Sequence, residues 1–211
     1  MIYLEYIGIA AFAISGAMTA IDREADIFGV LFLAVVTALG GGVIRDTLLG
    51  ELPPRMFTSY PYIMTALACA LAVFLVAYIR RDIYLKNLHR VDIIVNVFDA
   101  LGLAAFTVSG MNIAIESYGF SNPVLLTVLG MTTGVGGGML RDVLSGCMPA
   151  VLYKRVYAVA SLAGALLYYT LLRHGVEELF SAIVCIAGIF GLRFFAAKYK
   201  WNLPHVAKEK K

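Results

Sequence analysis

The sequence predicts an all-α integral membrane protein with seven transmembrane helices, built as two inverted three-helix repeats plus a seventh helix. Three observations carry that prediction. Of 211 residues, 61% are hydrophobic and only 15% charged, with a mean hydropathy of +0.83; a soluble domain is about half apolar and a quarter charged. Apolar runs near the length of a bilayer crossing recur along the chain, and they are continuously apolar as helices are, not alternating as barrel strands are. Finally, one stretch is written twice: Thr37–Pro53 and Thr133–Pro149 share nine of seventeen positions, namely the Thr, three Gly, Arg, Asp, Leu, Gly and Pro.

In chain order, the first span is about Ile2–Ile21, ended by Asp22-Arg23-Glu24-Ala25-Asp26. It carries Glu5 and no basic residue before its apolar run, which argues against a cleaved signal peptide. The second is about Ile27–Leu49, interrupted by Gly40-Gly41-Gly42. Leu52-Pro53-Pro54-Arg55 breaks the chain before the third, Pro61–Ile79, where Pro61 suits a first helical turn. A basic loop from Arg80 to Arg90 leads to the fourth, about Val91–Ile115. Asn122-Pro123 reads as cap and first residue of the fifth, which runs to about Leu144 through Gly136-Gly137-Gly138. The sixth covers about Val156–Leu172 and the seventh about Leu179–Ala197, before a polar basic tail.

The repeat extends beyond the glycines. At an offset of 94, Gly8, Ala10, Ala11, Phe12, Ser15, Gly16, Ala20 and Ile21 fall on Gly102, Ala104, Ala105, Phe106, Ser109, Gly110, Ala114 and Ile115, and Glu5 falls on Asp99. The chain therefore divides into residues 1–90 (spans one to three and the basic loop), 91–174 (spans four to six), 175–197 (the seventh helix) and 198–211 (the tail). Three spans is an odd number, so the second copy enters from the opposite side, the arrangement transporters use to place a site at the midplane. Of 17 Lys and Arg, three (Arg45, Arg55, Arg173) fall on one side and the other fourteen on the other. That places the N-terminus outside and the C-terminus in the cytoplasm.

Three groups of residues bear on function. Adjacent glycines inside an apolar helix cost about 1 kcal/mol each relative to alanine, and an arginine left in hydrocarbon costs more. Two triplets, each followed three residues on by Arg-Asp, favour a functional bend that bares backbone carbonyls, over glycines that only let helices pack closely. Gly130, Gly134 and Gly138 also form a small-residue face. Arg45-Asp46 and Arg141-Asp142 are expected to be poor internal pairs, because adjacent helical residues point about 100° apart. Each arginine then needs another partner at its own depth: Glu5 for Arg45 and Asp99 for Arg141, or else headgroups reached by snorkelling. Last come two polar stripes, one through Glu5, Gly8, Phe12, Ser15, Gly16 and Thr19, the other through Asp92, Asn96, Asp99, Gly102, Phe106, Ser109 and Gly110. Such stripes face a watery path or a helix interface.

Other residue types point elsewhere. Cys69, Cys147 and Cys185 have no paired spacing and read as small hydrophobes, not metal ligands or a disulfide. His89, His174 and His205 fall far apart in loops or the tail, and no catalytic constellation is visible, so an enzyme, a metal site and a bound cofactor are not expected. The tail's Lys198, Lys200, Lys208, Lys210 and Lys211 fit contact with anionic lipid on the cytoplasmic side better than nucleic acid.

Two three-helix repeats with Gly-Gly-Gly-x-x-Arg-Asp in spans two and five, plus a seventh helix, resemble a prokaryotic member of the trimeric intracellular cation (TRIC) channel family, over almost the whole chain to about Phe195. The resemblance implies a homotrimer with one hourglass pore per protomer, lined by spans one, two, four and five, bent at the triplets and passing K+ and Na+. The matching motif positions are Gly40, Gly41, Gly42, Arg45, Asp46, Gly136, Gly137, Gly138, Arg141 and Asp142. Animal members have a lipid-associated Lys-Glu-Val stretch after the first triplet; Val43-Ile44-Arg45-Asp46 stands there instead, so phosphoinositide regulation does not carry over. Bacterial relatives are also labelled glycine transporters.

The resulting expectation is a K+-permeable plasma-membrane channel. Ser15, Thr37, Ser109 and Thr133 would give its polar lining, and Glu5, Asp46, Asp99 and Asp142 would offset the arginines and favour cations. The alternative is a secondary carrier of glycine or another small zwitterion, with Arg45 or Arg141 holding its carboxylate. A scaffold that only packs other membrane proteins would explain the repeat but not the buried charge.

Overall fold

The computed structural model describes residues 2–80, 88–153, 156–199 and 201. Among these the chain is all-helical: α1 (Ile2–Asp22), α2 (Ile27–Leu49), α3 (Arg55–Thr58), α4 (Tyr60–Ile79), α5 (Leu88–Tyr118), α6 (Pro123–Leu144), α7 (Ala150–Tyr153), α8 (Ala158–Arg173) and α9 (Glu178–Lys198). Much of the charge that suggests an orientation lies outside the described residues: 81–87 of the basic loop, Lys154-Arg155, Lys200 and the tail from 202.

Six helices (α1, α2, α4, α5, α6 and α9) are long and apolar enough to cross a membrane, and the protein is a multi-pass membrane protein. The sixth expected span is shorter than a full crossing. It forms α8, whose 16 residues reach only ~24 Å against a hydrocarbon core of ~30 Å.

Local signals set the helix ends. Asp26 caps α2 by accepting from the Gly29 N–H at 2.8 Å, and Asn122 caps α6 by accepting from the Leu125 N–H at 3.0 Å. Both α2 and α6 stop at a left-handed glycine, Gly50 (φ 76°) and Gly146 (φ 68°). A side chain there would meet no neighbour, so backbone conformation alone calls for glycine.

The bundle buries charged and polar groups within an apolar interior and turns large apolar side chains outward. Buried positions include Glu5, Ser15, Thr37, Arg45, Asp46, Asp99, Ser109, Thr133, Arg141, Asp142 and Arg193, while Phe28, Phe32, Met64, Val76, Leu179 and Ile183 face outward. Four helices form the centre: α1 packs on α2 and α5, α6 packs on α2 and α5, and α4, α8 and α9 lie outside them. The Phe12 and Phe106 rings meet at 5.5 Å. Each covers the other's glycine, Phe12 at Gly102 and Phe106 at Gly8.

Where α2 crosses α6, backbone meets backbone. A Cβ on Gly41 would strike the Thr133 carbonyl oxygen, and one on Gly137 would strike the Thr37 carbonyl oxygen. Both helices are continuous through their triplets, so the visible service of these glycines is close approach. Gly130 and Gly134 do the same between α6 and α5, against the carbonyls of Thr107 and Leu103.

Candidate functional site

Two buried clusters flank the glycine crossing. In the first, Arg45 of α2 is fully buried. Its Nη1 stands 3.4 Å from Glu5 Oε1, and its Nη2 stands 2.7 Å from Asp46 Oδ1, which also accepts from Nε at 2.8 Å. Tyr62 of α4 donates its hydroxyl to Glu5 Oε2 at 2.5 Å. In the second, Arg141 of α6 donates through Nη1 to Asp99 Oδ1 at 2.7 Å and to Ser15 Oγ at 2.6 Å, and through Nη2 to Asp142 Oδ1 at 2.8 Å. Tyr157 donates to Asp99 Oδ1 at 3.2 Å. Neither arginine snorkels outward: both are held by carboxylates inside the bundle.

One expectation is corrected. The adjacent Arg-Asp pairs do bond, although their Cα–Cβ vectors diverge. A third group fixes each aspartate: Asp46 Oδ2 accepts the Arg55 backbone N–H at 2.8 Å, and Asp142 Oδ2 accepts that of Ala150 at 2.7 Å. Each carboxylate thus caps the short helix after the loop, α3 or α7, and the long arginine side chain curls back to it. An N-terminal N–H left without a partner inside the bundle would be costly, so both loops are tied to these aspartates.

The two clusters are separated along α1. Glu5 touches Arg45 and Ser15 touches Arg141; ten helical residues rise ~15 Å. Thr37 and Thr133 lie between the clusters, fully buried, with their hydroxyls donating to the Leu33 and Leu129 carbonyls of their own helices at 2.6 Å. Ser109 is also buried. Asp92 is exposed, and Asn96 faces a cavity of about 390 Å³ between α5 and α9 that Arg193 and Lys198 also line. The third glycine of each triplet makes room for the neighbouring group: Gly42 for Met56, and Gly138 for the Tyr157 hydroxyl and Asp99. Among the described residues no group of three or more His, Cys, Asp or Glu is arranged to hold a metal ion.

Three site residues escaped the sequence reading: Tyr62, Tyr157 and Arg193. The tyrosines stand 95 apart, close to the repeat's own offset. Arg193 of α9 places Nη2 3.4 Å from Asp99 Oδ2, and its guanidinium lies 4.4 Å over the Tyr157 ring. The only hint was a single charge in the last apolar run.

A sequence model of the family described as glycine transporter matches residues 2–78 and 96–173. The Bacillus subtilis membrane protein YvgT is 36% identical over 206 residues, which cover 96% of this chain and 94% of that one. A solved structure described as the basis for conductance through TRIC cation channels is 36% identical with a TM-score of 0.84, covering 100% of this chain and 99% of that one. The TRIC orthologue from Rhodobacter sphaeroides is 31% identical with a TM-score of 0.84, covering 95% and 98%.

Proposed function

The chain belongs to the prokaryotic branch of the trimeric intracellular cation channel family, whose sequence model is described as glycine transporter, and on that premise we propose that it is a channel for monovalent cations, K+ and Na+. One observation carries the reading. Every guanidinium nitrogen of Arg141 donates to a carboxylate or hydroxyl of the chain itself, and Arg45 is ion-paired with Glu5 and Asp46, its Nη2 2.7 Å from Asp46 Oδ1 without a hydrogen bond. A carrier for a zwitterion needs a guanidinium whose charge is free to take the solute's carboxylate, and here each is already paired with two carboxylates of the chain. The carboxylate oxygens also hold donors of the chain, but each keeps a further lone pair, so what the clusters offer a passing ion is carboxylate and hydroxyl oxygen, the chemistry of a cation path.

The path proposed is an hourglass in each protomer of a homotrimer, running among α1, α2, α5 and α6 and narrowest at the glycine crossing. Residues 1–90 and 91–174 are inverted repeats about that crossing. Support for this comes from the reciprocal Gly41–Thr133 and Gly137–Thr37 contacts and from the two segments matched by one family model. On this reading α8 completes seven crossings, with the N-terminus outside and the C-terminus cytoplasmic. Thr37 and Thr133 each donate their one proton backward and keep lone pairs for an ion, and Ser15 and Ser109 extend that lining. A bend at Gly40-Gly41-Gly42 and Gly136-Gly137-Gly138 opens the waist that Phe12 and Phe106 fill. The basic tail meets anionic lipid. No bound cofactor and no reaction enter this function.

The test is single-channel recording from purified protein in planar bilayers across a KCl gradient. Discrete openings that reverse near the K+ equilibrium potential are expected. Silent bilayers, together with saturable labelled-glycine uptake into liposomes that Arg141→Ala abolishes, would replace the channel with the carrier.

A further inference from the structure

The two clusters are built from equivalent parts except for one. The first holds two carboxylates, Glu5 and Asp46, against one guanidinium, Arg45. The second also holds two, Asp99 and Asp142, but against Arg141 and Arg193. The remaining charged pair near the first cluster, Glu51–Arg55, is self-compensating. Formal charge of the side chains ion-paired within each cluster is therefore −2 + 1 = −1 at the first and −2 + 2 = 0 at the second. Arg193 lies beyond the two family-matched segments, which end at residue 173. It is 5% exposed, makes a single long contact with Asp99, and leaves its Nε without a hydrogen-bond partner. A side chain placed for hydrogen bonding would be better satisfied. What this one delivers to Asp99, backed by the face of Tyr157, is charge.

We infer that Arg193 neutralises the second cluster and so makes the conduction path electrically one-sided, with cations concentrated at the Glu5 end. The inference rests on the channel reading above. An uncompensated charge acting over ~10 Å of water changes local cation concentration about twofold unscreened and about 1.3-fold at ~0.1 M salt, and the clusters lie ~15 Å apart along α1, more than a Debye length of about 10 Å at that salt. The two ends therefore do not average out, and K+ entering from the Glu5 end carries the larger current.

The experiment is single-channel current at equal and opposite voltages in symmetrical KCl, on the full chain. In ~0.1 M KCl the wild type should rectify about 1.3-fold, and in ~1 M KCl, where screening acts within about 3 Å, the ratio should fall to about one. Arg193→Gln should raise the smaller limb and remove the rectification; Arg193→Lys should keep it. Glu5→Gln should remove it from the other side, by lowering the larger limb. Packing by Arg193 without an electrostatic role would leave the salt dependence and the Lys/Gln split unmoved. An ohmic wild-type channel, or equal behaviour of the Lys and Gln variants, overturns the inference and leaves the channel standing; a silent wild type removes the channel reading itself. If Arg193→Gln does not yield folded protein, the wild-type ratio at the two salt concentrations still decides.

Discussion

The Arg45 and Arg141 clusters show how far a repeated sequence repeats its chemistry. Geometry is reproduced closely. Each arginine bonds the aspartate beside it, each aspartate caps the next short helix, and each partner acid takes a tyrosine hydroxyl. The surroundings are not reproduced. Arg141 has a 2.7 Å contact with its partner acid and a serine from the other half, while Arg45 has one contact of 3.4 Å with Glu5. Asp99 also receives a second arginine from α9, a helix with no counterpart in the first half. The two halves share the arginine-aspartate scaffold, and α9, outside both, changes the charge at one of them.

The strongest test of that difference removes each arginine. Breaking a buried pair by deleting one partner costs about 3–5 kcal/mol, because the other charge is left uncompensated. Arg45→Ala strands Glu5 and Asp46 together and should fall at the upper end. Arg141→Ala leaves Arg193 beside Asp99 and should fall about 1–2 kcal/mol lower on the same scale. Thermal unfolding of the purified variants in detergent measures both, and equal losses would break the comparison. Swapping partners sharpens it: Glu5→Arg with Arg45→Glu should recover more than Asp99→Arg with Arg141→Asp, since an arginine at 99 would face Arg193.

The glycine crossing should behave in the opposite way, with the halves alike. Gly41→Ala and Gly137→Ala each drive a methyl into a partner carbonyl that cannot turn aside. Overpacking of this kind costs about 1–3 kcal/mol, and the two losses should agree. Gly40→Ala meets only the end of the Leu140 side chain and should cost less. A Gly41→Ala protein that melts like the wild type would mean the helices do not meet as described.

The tyrosines separate the halves again, by less. Hydrogen bonds to charged groups contribute about 1.5–3 kcal/mol. Tyr62→Phe removes one of 2.5 Å, whereas Tyr157→Phe removes one of 3.2 Å and keeps the ring beneath Arg193. Tyr62→Phe should therefore lower the melting temperature more.

Sequence reading reached the all-helical membrane fold and the acid partner of each arginine, because these are written as hydropathy and intramembrane charge. It did not reach Tyr62 and Tyr157, since a tyrosine in an apolar run looks like any interfacial aromatic. The repeat's frame also slips there: the triplets stand 96 apart, but Arg55 and Ala150, like Tyr62 and Tyr157, stand 95 apart, one residue having dropped out after the shared proline. The adjacent Arg-Asp bonds were hidden because they depend on the chain folding back after Pro53 and Pro149 to fix the aspartate. Arg193 had no sequence partner at all; only packing of α9 on α5 brings it to Asp99.

The smallest difference between the halves lies at the loop after α2. Glu51 Oε2 accepts from Arg55 Nε at 2.7 Å, and this hydrogen bond holds the Glu51 carboxyl below the usual glutamate range, while the Arg55 guanidinium is pushed up in return. In the second half Cys147 occupies the place of Glu51 and Ala150 that of Arg55, so no such pair exists. Both Glu51 and Arg55 are partly solvated, which limits the pair to about 0.3–0.5 kcal/mol. Because the folded carboxyl is the stronger acid, its stabilisation is present above the unfolded glutamate value of about 4.3 and is lost as pH falls through the lower folded value. Wild type and Glu51→Gln should therefore melt apart by a small margin at neutral pH and converge on acidification. Cys147→Ser should give an offset that does not change over the same acid range. A margin for Glu51→Gln that persisted in acid would show that the loop is held by the shape of the side chain and not by its charge.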